Sequence, residues 1–322
     1  MDIPTFDDVL EAEERIAPYI HETPVLTSNY LNSLTGAAIF FKCENLQKAG
    51  AFKARGATNA VFGLDDAIAA KGVATHSSGN HAGALSYAAA RRGIAATVVM
   101  PHTAPEVKKA AVRDYGGRII ECEPTQAARE AALQQVVAET GADPVHPYDD
   151  SRVIAGQATC MLELHRQVGN LDCVVAPVGG GGLISGISLA LSKLSPQTQV
   201  YAAEPKAADD AWRSLQAGEI VLRDGQHSIA DGLNTNLKPR TWHFVSSFVE
   251  GVLLASESEI IDAMYLTWQR MKIIIEPSSA VPLAAILKQR DRFRGKRIGV
   301  IITGGNVDLQ NCPGCPRATE AR

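Results

Sequence analysis

Short apolar runs alternate with helix-length amphipathic segments along most of the chain. Residues 72–76, 95–100 and 118–121 read as strands, and residues 80–92, 104–115 and 125–139 show apolar positions at helical spacing. Strands separated by helices pair in parallel through right-handed crossovers, so this stretch is expected to form a βαβα unit. Before it lies a helix over residues 5–20, opened by Thr5 as N-cap and acids in its first turn, and stopped by His21-Glu22-Thr23-Pro24. A strand over 39–43 and a helix over 55–62 follow. After Val145-His146-Pro147-Tyr148 the alternation resumes with a helix ending at Val168, then strands at 173–178, 200–203 and 298–302. Residues 206–248 are the least regular, and periodicity does not choose between a lid, an interface and connecting structure. The pattern predicts an α/β chain of two interleaved lobes, their sheets mostly parallel and flanked by helices.

Composition narrows the partners. The 322 residues, 46% hydrophobic, can fill a sizeable core, and 31 basic against 35 acidic residues leave a net charge of -4. That balance points away from nucleic acid and membrane surfaces and toward small molecules. The acidic start of the chain does not resemble a secretion signal, and a cytoplasmic protein is expected. Six scattered cysteines suit reduced thiols better than a disulfide framework. Cys312-Pro313-Gly314-Cys315 has metal-ligand spacing but no second pair and no neighbouring histidine, and reads as a turn.

Four stretches carry chemistry. In Gly50-Ala51-Phe52-Lys53-Ala54-Arg55-Gly56-Ala57, the Lys53 amine lies at a strand-to-helix junction, where ligands of open α/β sheets gather. Flanked by an aromatic, small residues and a guanidinium, its pKa can fall, and a neutral amine attacks an aldehyde to form a Schiff base. Val178 is followed by Gly179, Gly180, Gly181 and Gly182 between an apolar strand and a helix. Backbone N–H groups converge at such a turn on an anion, here a phosphate, although a flexible loop is the plainer alternative. His76-Ser77-Ser78-Gly79-Asn80-His81 offers hydroxyl and amide donors at a helix start, suiting a carboxylate or phenolate, or else forms an ordinary helix cap. Thr303-Gly304-Gly305-Asn306-Val307-Asp308 ends the last strand and alone reads as a turn.

In this order the four motifs resemble the tryptophan-synthase-β type, fold type II, of pyridoxal-phosphate enzymes, and more closely its serine racemase and serine/threonine dehydratase branch. The resemblance runs from about Thr23 to Leu309 and includes Ile275-Glu276-Pro277-Ser278-Ser279-Ala280. It implies a large cofactor-binding domain of residues 1–71 and 150–322 with a small domain of residues 72–149 inserted in it. It also implies that Lys53 carries the cofactor and removes the α-proton, and that Phe52 packs on the ring. Asn80 would bond the phenolate oxygen, Gly179, Gly180, Gly181 and Gly182 the phosphate, and Thr303 would face the pyridine nitrogen. A neutral hydroxyl there does not force the nitrogen to stay protonated, which favours prompt loss of a β-substituent. Ser77, Ser78, Asn80 and His81 would line the substrate carboxylate pocket.

Glu204, Ala208 and Asp210 match a divalent-cation site, with Mg²⁺, Ca²⁺ or Mn²⁺ as the hard cation. Arg129 matches an arginine at the active-site mouth and suits a second substrate carboxylate. Ala51, where many relatives have serine, and the run Gly56-Ala57-Thr58-Asn59 further resemble the 3-hydroxyaspartate dehydratases. The expected activity is therefore ammonia release from a 3-hydroxy amino acid by loss of water, with 3-hydroxyaspartate first and L-serine or L-threonine next. A racemase of serine or aspartate, using Ser78 as a second catalytic base opposite Lys53, is the alternative. A homodimer acting on a small amino-acid substrate is implied.

Overall fold

The computed structural model describes residues 2–223 and 225–314. Among these residues ten strands form two sheets. The strands are β1 (Val25–Leu26), β2 (Ala38–Cys43), β3 (Val73–His76), β4 (Ala96–Pro101), β5 (Arg118–Cys122), β6 (Asp143–Pro144), β7 (Cys173–Pro177), β8 (Gln199–Pro205), β9 (Val249–Ala255) and β10 (Arg297–Ile302). The larger sheet has the order β1-β2-β10-β7-β8-β9 and is parallel except for the β1–β2 pair. The smaller, β5-β4-β3-β6, is wholly parallel. Strands β7 and β10 are apolar on both faces, as expected where helices cover both sides.

The helical readings hold with shifted ends. Thr5 caps Phe6–Ile16 in a reciprocal box with Asp8, but the helix stops at Ile16, short of residue 20. The lysine motif enters its helix two residues earlier than expected, at Lys53. Residues 206–248 are more regular than their pattern: they hold the helices Asp210–Ala217 and Pro239–Phe248 and a helical turn at Asp231–Leu233. The helices Glu257–Met271 and Pro277–Lys288 complete the larger layer. The second has Pro282 inside it, which masks its helical character in the sequence.

Under the lysine motif lies a buried ionic cluster. Arg55 is fully buried and donates to Glu44 at 2.7 Å and to both oxygens of Glu163 at 2.7 Å, while Lys42 donates to Glu163 at 2.6 Å. The guanidinium that the sequence placed beside Lys53 thus serves the fold, anchoring helix Lys53–Phe62 to the helical turn Glu44–Leu46 after β2 and to helix Ser151–Val168. Among the described residues no helix is long and apolar enough to cross a membrane.

Candidate active site

Parallel strands aim their carboxyl ends at one edge, and adjacent strands bring distant motifs together there. Lys53 follows β2, Thr303 follows β10 and the four glycines follow β7, three neighbours in the larger sheet. Ser77 and Ser78 follow β3 of the smaller sheet. Between the sheets a cavity of about 380 Å³ is lined by all of these, with Phe52, Asn80, His81 and Arg129.

The Lys53 ammonium donates to the Pro147 carbonyl at 2.6 Å and lies 5.0 Å from the centroid of the Phe52 ring. Loss of hydration in this enclosure lowers its pKa to about 8, so burial and not the Arg55 charge makes the amine available.

The glycine loop is wedged. A Cβ on Gly179 would come within 2.8 Å of Leu233 Cα, on Gly180 within 2.5 Å of the Tyr148 ring, and on Gly181 within 2.8 Å of Thr241. Gly181 also has φ +89°, a left-handed conformation open to glycine. None of the four N–H groups meets a protein acceptor among the described residues. The loop is packed and not a flexible linker, and its free N–H groups at the start of helix Gly182–Leu194 suit an anion. With the Lys53 amine, it fits a phosphorylated aldehyde.

At the start of helix Asn80–Arg92 the cap residue is Gly79, with no side-chain cap, so the reading of Ser77 and Ser78 as ordinary helix caps does not hold. The first N–H groups and the Ser78 hydroxyl remain available for a carboxylate. His81 is 2% exposed, tied to the Val145 carbonyl at 3.3 Å, and burial drives its pKa well below the ordinary value. It contributes a neutral ring.

Asn80 is engaged on both sides. Its amide donates to Glu276 and its carbonyl accepts from Asn306 at 2.9 Å. Thr303 shares a 2.9 Å hydrogen bond with Ser279, which also accepts from the Gly304 N–H at 2.8 Å. Glu276 and Ser279 stand in the Ile275–Ala280 stretch that carries the resemblance, but no local pattern marks either as part of the site. Lys108 and Asp231 form an ion pair on the cavity wall, also unforeseen.

Arg129 opens onto the cavity with only a long 3.4 Å hydrogen bond to the Thr125 carbonyl, and forms no ion pair among the described residues. Away from the cavity, Glu204 and Asp210 are both fully buried. Glu204 accepts from Ala211 and Trp212 N–H at 3.0 Å, whereas neither carboxylate oxygen of Asp210 has a hydrogen-bond partner among the described residues. Burial, then the Asp210 charge, raises the Glu204 pKa, and burial pushes Asp210 up to about 7.

The sequence profile of the family described as pyridoxal-phosphate dependent enzyme matches residues 16–304, and the chain belongs to that family. It is 63% identical to the beta-hydroxyaspartate dehydratase of Paracoccus denitrificans, over 97% of this chain and 99% of that one. It is 50% identical to the serine racemase of Dictyostelium discoideum, over 95% of this chain and 96% of the relative. The solved structure of maize serine racemase superimposes with a TM-score of 0.94 at 44% identity, covering 96% of this chain and 95% of that one. The expected fold type and cofactor class are thereby borne out.

Proposed function

We propose that this chain is an ammonia-lyase that removes water from a 3-hydroxy amino acid, with 3-hydroxyaspartate as its first substrate and L-serine or L-threonine behind it. The observation that carries the reading is the unpaired Arg129 guanidinium on the cavity that holds Lys53 and Ser78. Its fork geometry suits a carboxylate that serine and threonine lack. The 63% identical relative named for hydroxyaspartate supports it.

Pyridoxal phosphate, when bound, supplies the electron sink that acidifies the substrate's Cα–H. The glycine-loop N–H groups would hold its phosphate, Phe52 its ring face and Thr303 its nitrogen edge. Asn80 would hold its phenolate oxygen by turning to it the amide that here donates to Glu276. Ser77, Ser78 and the free N–H groups at the start of helix Asn80–Arg92 would orient the substrate's α-carboxylate, with His81 packed behind them. The Lys53 amine takes the proton from Cα; the Cβ–O bond then breaks and the hydroxyl leaves as water after gaining a proton. Hydrolysis of the unsaturated product gives an oxo acid and ammonia.

Ser78 on the same cavity, and the racemases among the relatives, support a second reading in which Ser78 exchanges the α-proton from the other side. The partnerless Asp210 oxygens support a cation site of Glu204, Asp210 and the Ala208 carbonyl, taking Mg²⁺ first, or Ca²⁺ or Mn²⁺. The two sheets support the division into residues 1–71 with 150–322 and an inserted lobe 72–149. The family resemblance supports a homodimer, and the free thiols of Cys43, Cys122, Cys160 and Cys173 a cytoplasmic setting.

The test is ammonia and oxo-acid release by the holoenzyme from L-serine, L-threonine and the stereoisomers of 3-hydroxyaspartate, repeated with Arg129→Ala. One hydroxyaspartate isomer should be preferred, and the variant should raise its KM by about tenfold to a hundredfold, the worth of a lost charged hydrogen bond. Equal rates on serine, unaffected by the substitution, would refute the assignment.

A further inference from the structure

The segment that passes beneath the glycine loop carries a side chain that no motif accounts for. Tyr148 lines the active-site cavity, and its ring lies directly against the loop: a Cβ on Gly180 would come within 2.5 Å of three ring carbons. A Cβ on Gly182 would come within 2.8 Å of Tyr148 Cβ. On its other side the ring meets His146 edge-on at a centroid distance of 4.6 Å. His146 Nδ1 accepts the backbone N–H groups of Tyr148, at 3.3 Å, and Asp149, at 2.9 Å. That nitrogen therefore carries no proton, and burial holds the ring neutral, its pKa lowered to about 3. Pro147, between the two, receives the Lys53 ammonium. The aromatic ring is thus pinned, in a segment fixed to the catalytic amine, and cannot swing away without opening the site.

Its hydroxyl is uncommitted. No hydrogen-bond partner for it occurs among the described residues, and it lines the same cavity as Arg129, on helix Gln126–Thr140. Burial, followed by the charges of Asp149, Asp210 and Glu130, outweighs the Arg129 charge and raises its pKa further above the ordinary tyrosine value, so the group remains an O–H donor throughout the physiological range. A pinned, neutral donor on the same cavity as an unpaired guanidinium is a suitable pair for one carboxylate: the cation offsets the charge and the phenol fixes the direction.

We propose that the Tyr148 hydroxyl is a specificity-determining group that donates to the second carboxylate of a dicarboxylic hydroxy amino acid, jointly with Arg129. The inference rests on the reading of the enzyme as a 3-hydroxyaspartate ammonia-lyase and names a residue that fits it for that substrate. A monocarboxylic substrate leaves this donor without a partner, which penalises serine and threonine.

Tyr148→Phe keeps the ring against Gly180 and deletes only the donor. The probe is succinate, which has the carbon skeleton of aspartate without its amine, titrated into native and variant holoenzyme by calorimetry. The variant should bind succinate about tenfold or more weakly, the effect of removing one hydrogen bond to a charged group. Its KM for 3-hydroxyaspartate should rise more than its KM for L-serine, while pyridoxal-phosphate affinity is retained. Unchanged succinate binding would overturn the proposal, and so would a loss confined to cofactor affinity, which would put the phenol on the phosphate. Succinate failing to bind the native holoenzyme would likewise refute it. Failure of the wider reading looks different: native enzyme inactive on every hydroxyaspartate isomer, with the succinate comparison still deciding whether the phenol binds a carboxylate.

Discussion

Asn80 donates its side-chain amide to both carboxylate oxygens of Glu276, at 2.8 and 3.1 Å, across 196 residues of sequence. The contact joins the helix that follows β3 of the smaller sheet to the start of the helix that packs on the larger one. Glu276 is 4% exposed, and burial, followed by the nearby charge of Asp231, pushes its pKa up to about 8.

That carboxyl makes stability depend on pH. Between the ordinary glutamate value and about 8 the unfolded chain has lost a proton that the folded chain keeps, so native stability falls as pH rises through this window and levels off above it. Glu276→Gln does not titrate. Its melting temperature relative to native protein should climb across that window, read by thermal unfolding at a series of pH values; a difference independent of pH would contradict the burial argument.

The lowered pKa of Lys53 has a kinetic consequence. Only the neutral amine attacks an aldehyde, so uptake of pyridoxal phosphate by the apoenzyme should quicken with rising pH and level off above about 8. Stopped-flow absorbance of the lysine-bound cofactor reads it. Lys53→Ala should show neither that absorbance nor ammonia release, and retained turnover would remove Lys53 from the chemistry.

Ser78→Ala separates lyase from racemase. If Ser78 exchanges the α-proton, the variant should lose enantiomer interconversion of serine and aspartate altogether. Elimination from the enantiomer served by Lys53 should fall by less. Chiral chromatography beside ammonia release measures both, and racemisation surviving the substitution would rule Ser78 out as the second base.

The orphaned carboxylate of Asp210 should be satisfied by a hard cation. Added Mg²⁺ should raise the melting temperature of native protein, and chelation should lower it, by the linkage of ligand binding to folding. Asp210→Asn should abolish the response. A variant that still gains stability from Mg²⁺ would place the cation elsewhere.

The local elements were legible because each is specified by nearby residues. Thr5 and Asp8 write a helix start, alternating strands and helices write parallel sheets, and glycines bounded by apolar segments write a strand-to-helix turn. Irregular stretches were less readable: Pro282 inside a helix and the broken pattern of residues 206–248 hide elements held by packing against the sheet.

By itself the sequence determined the order of secondary structure, the four motifs and, through their resemblance, the family. Tertiary structure decided which of their neighbours act together. It withdrew Arg55 from the lysine into a buried ionic cluster, aimed Asn80 at Glu276, and set Tyr148 under the glycines. The physical reason is that burial and hydrogen-bond partners are properties of a position in space. Residues a hundred or more apart share the low-dielectric surroundings that move a pKa or orient a donor, and no local pattern records them.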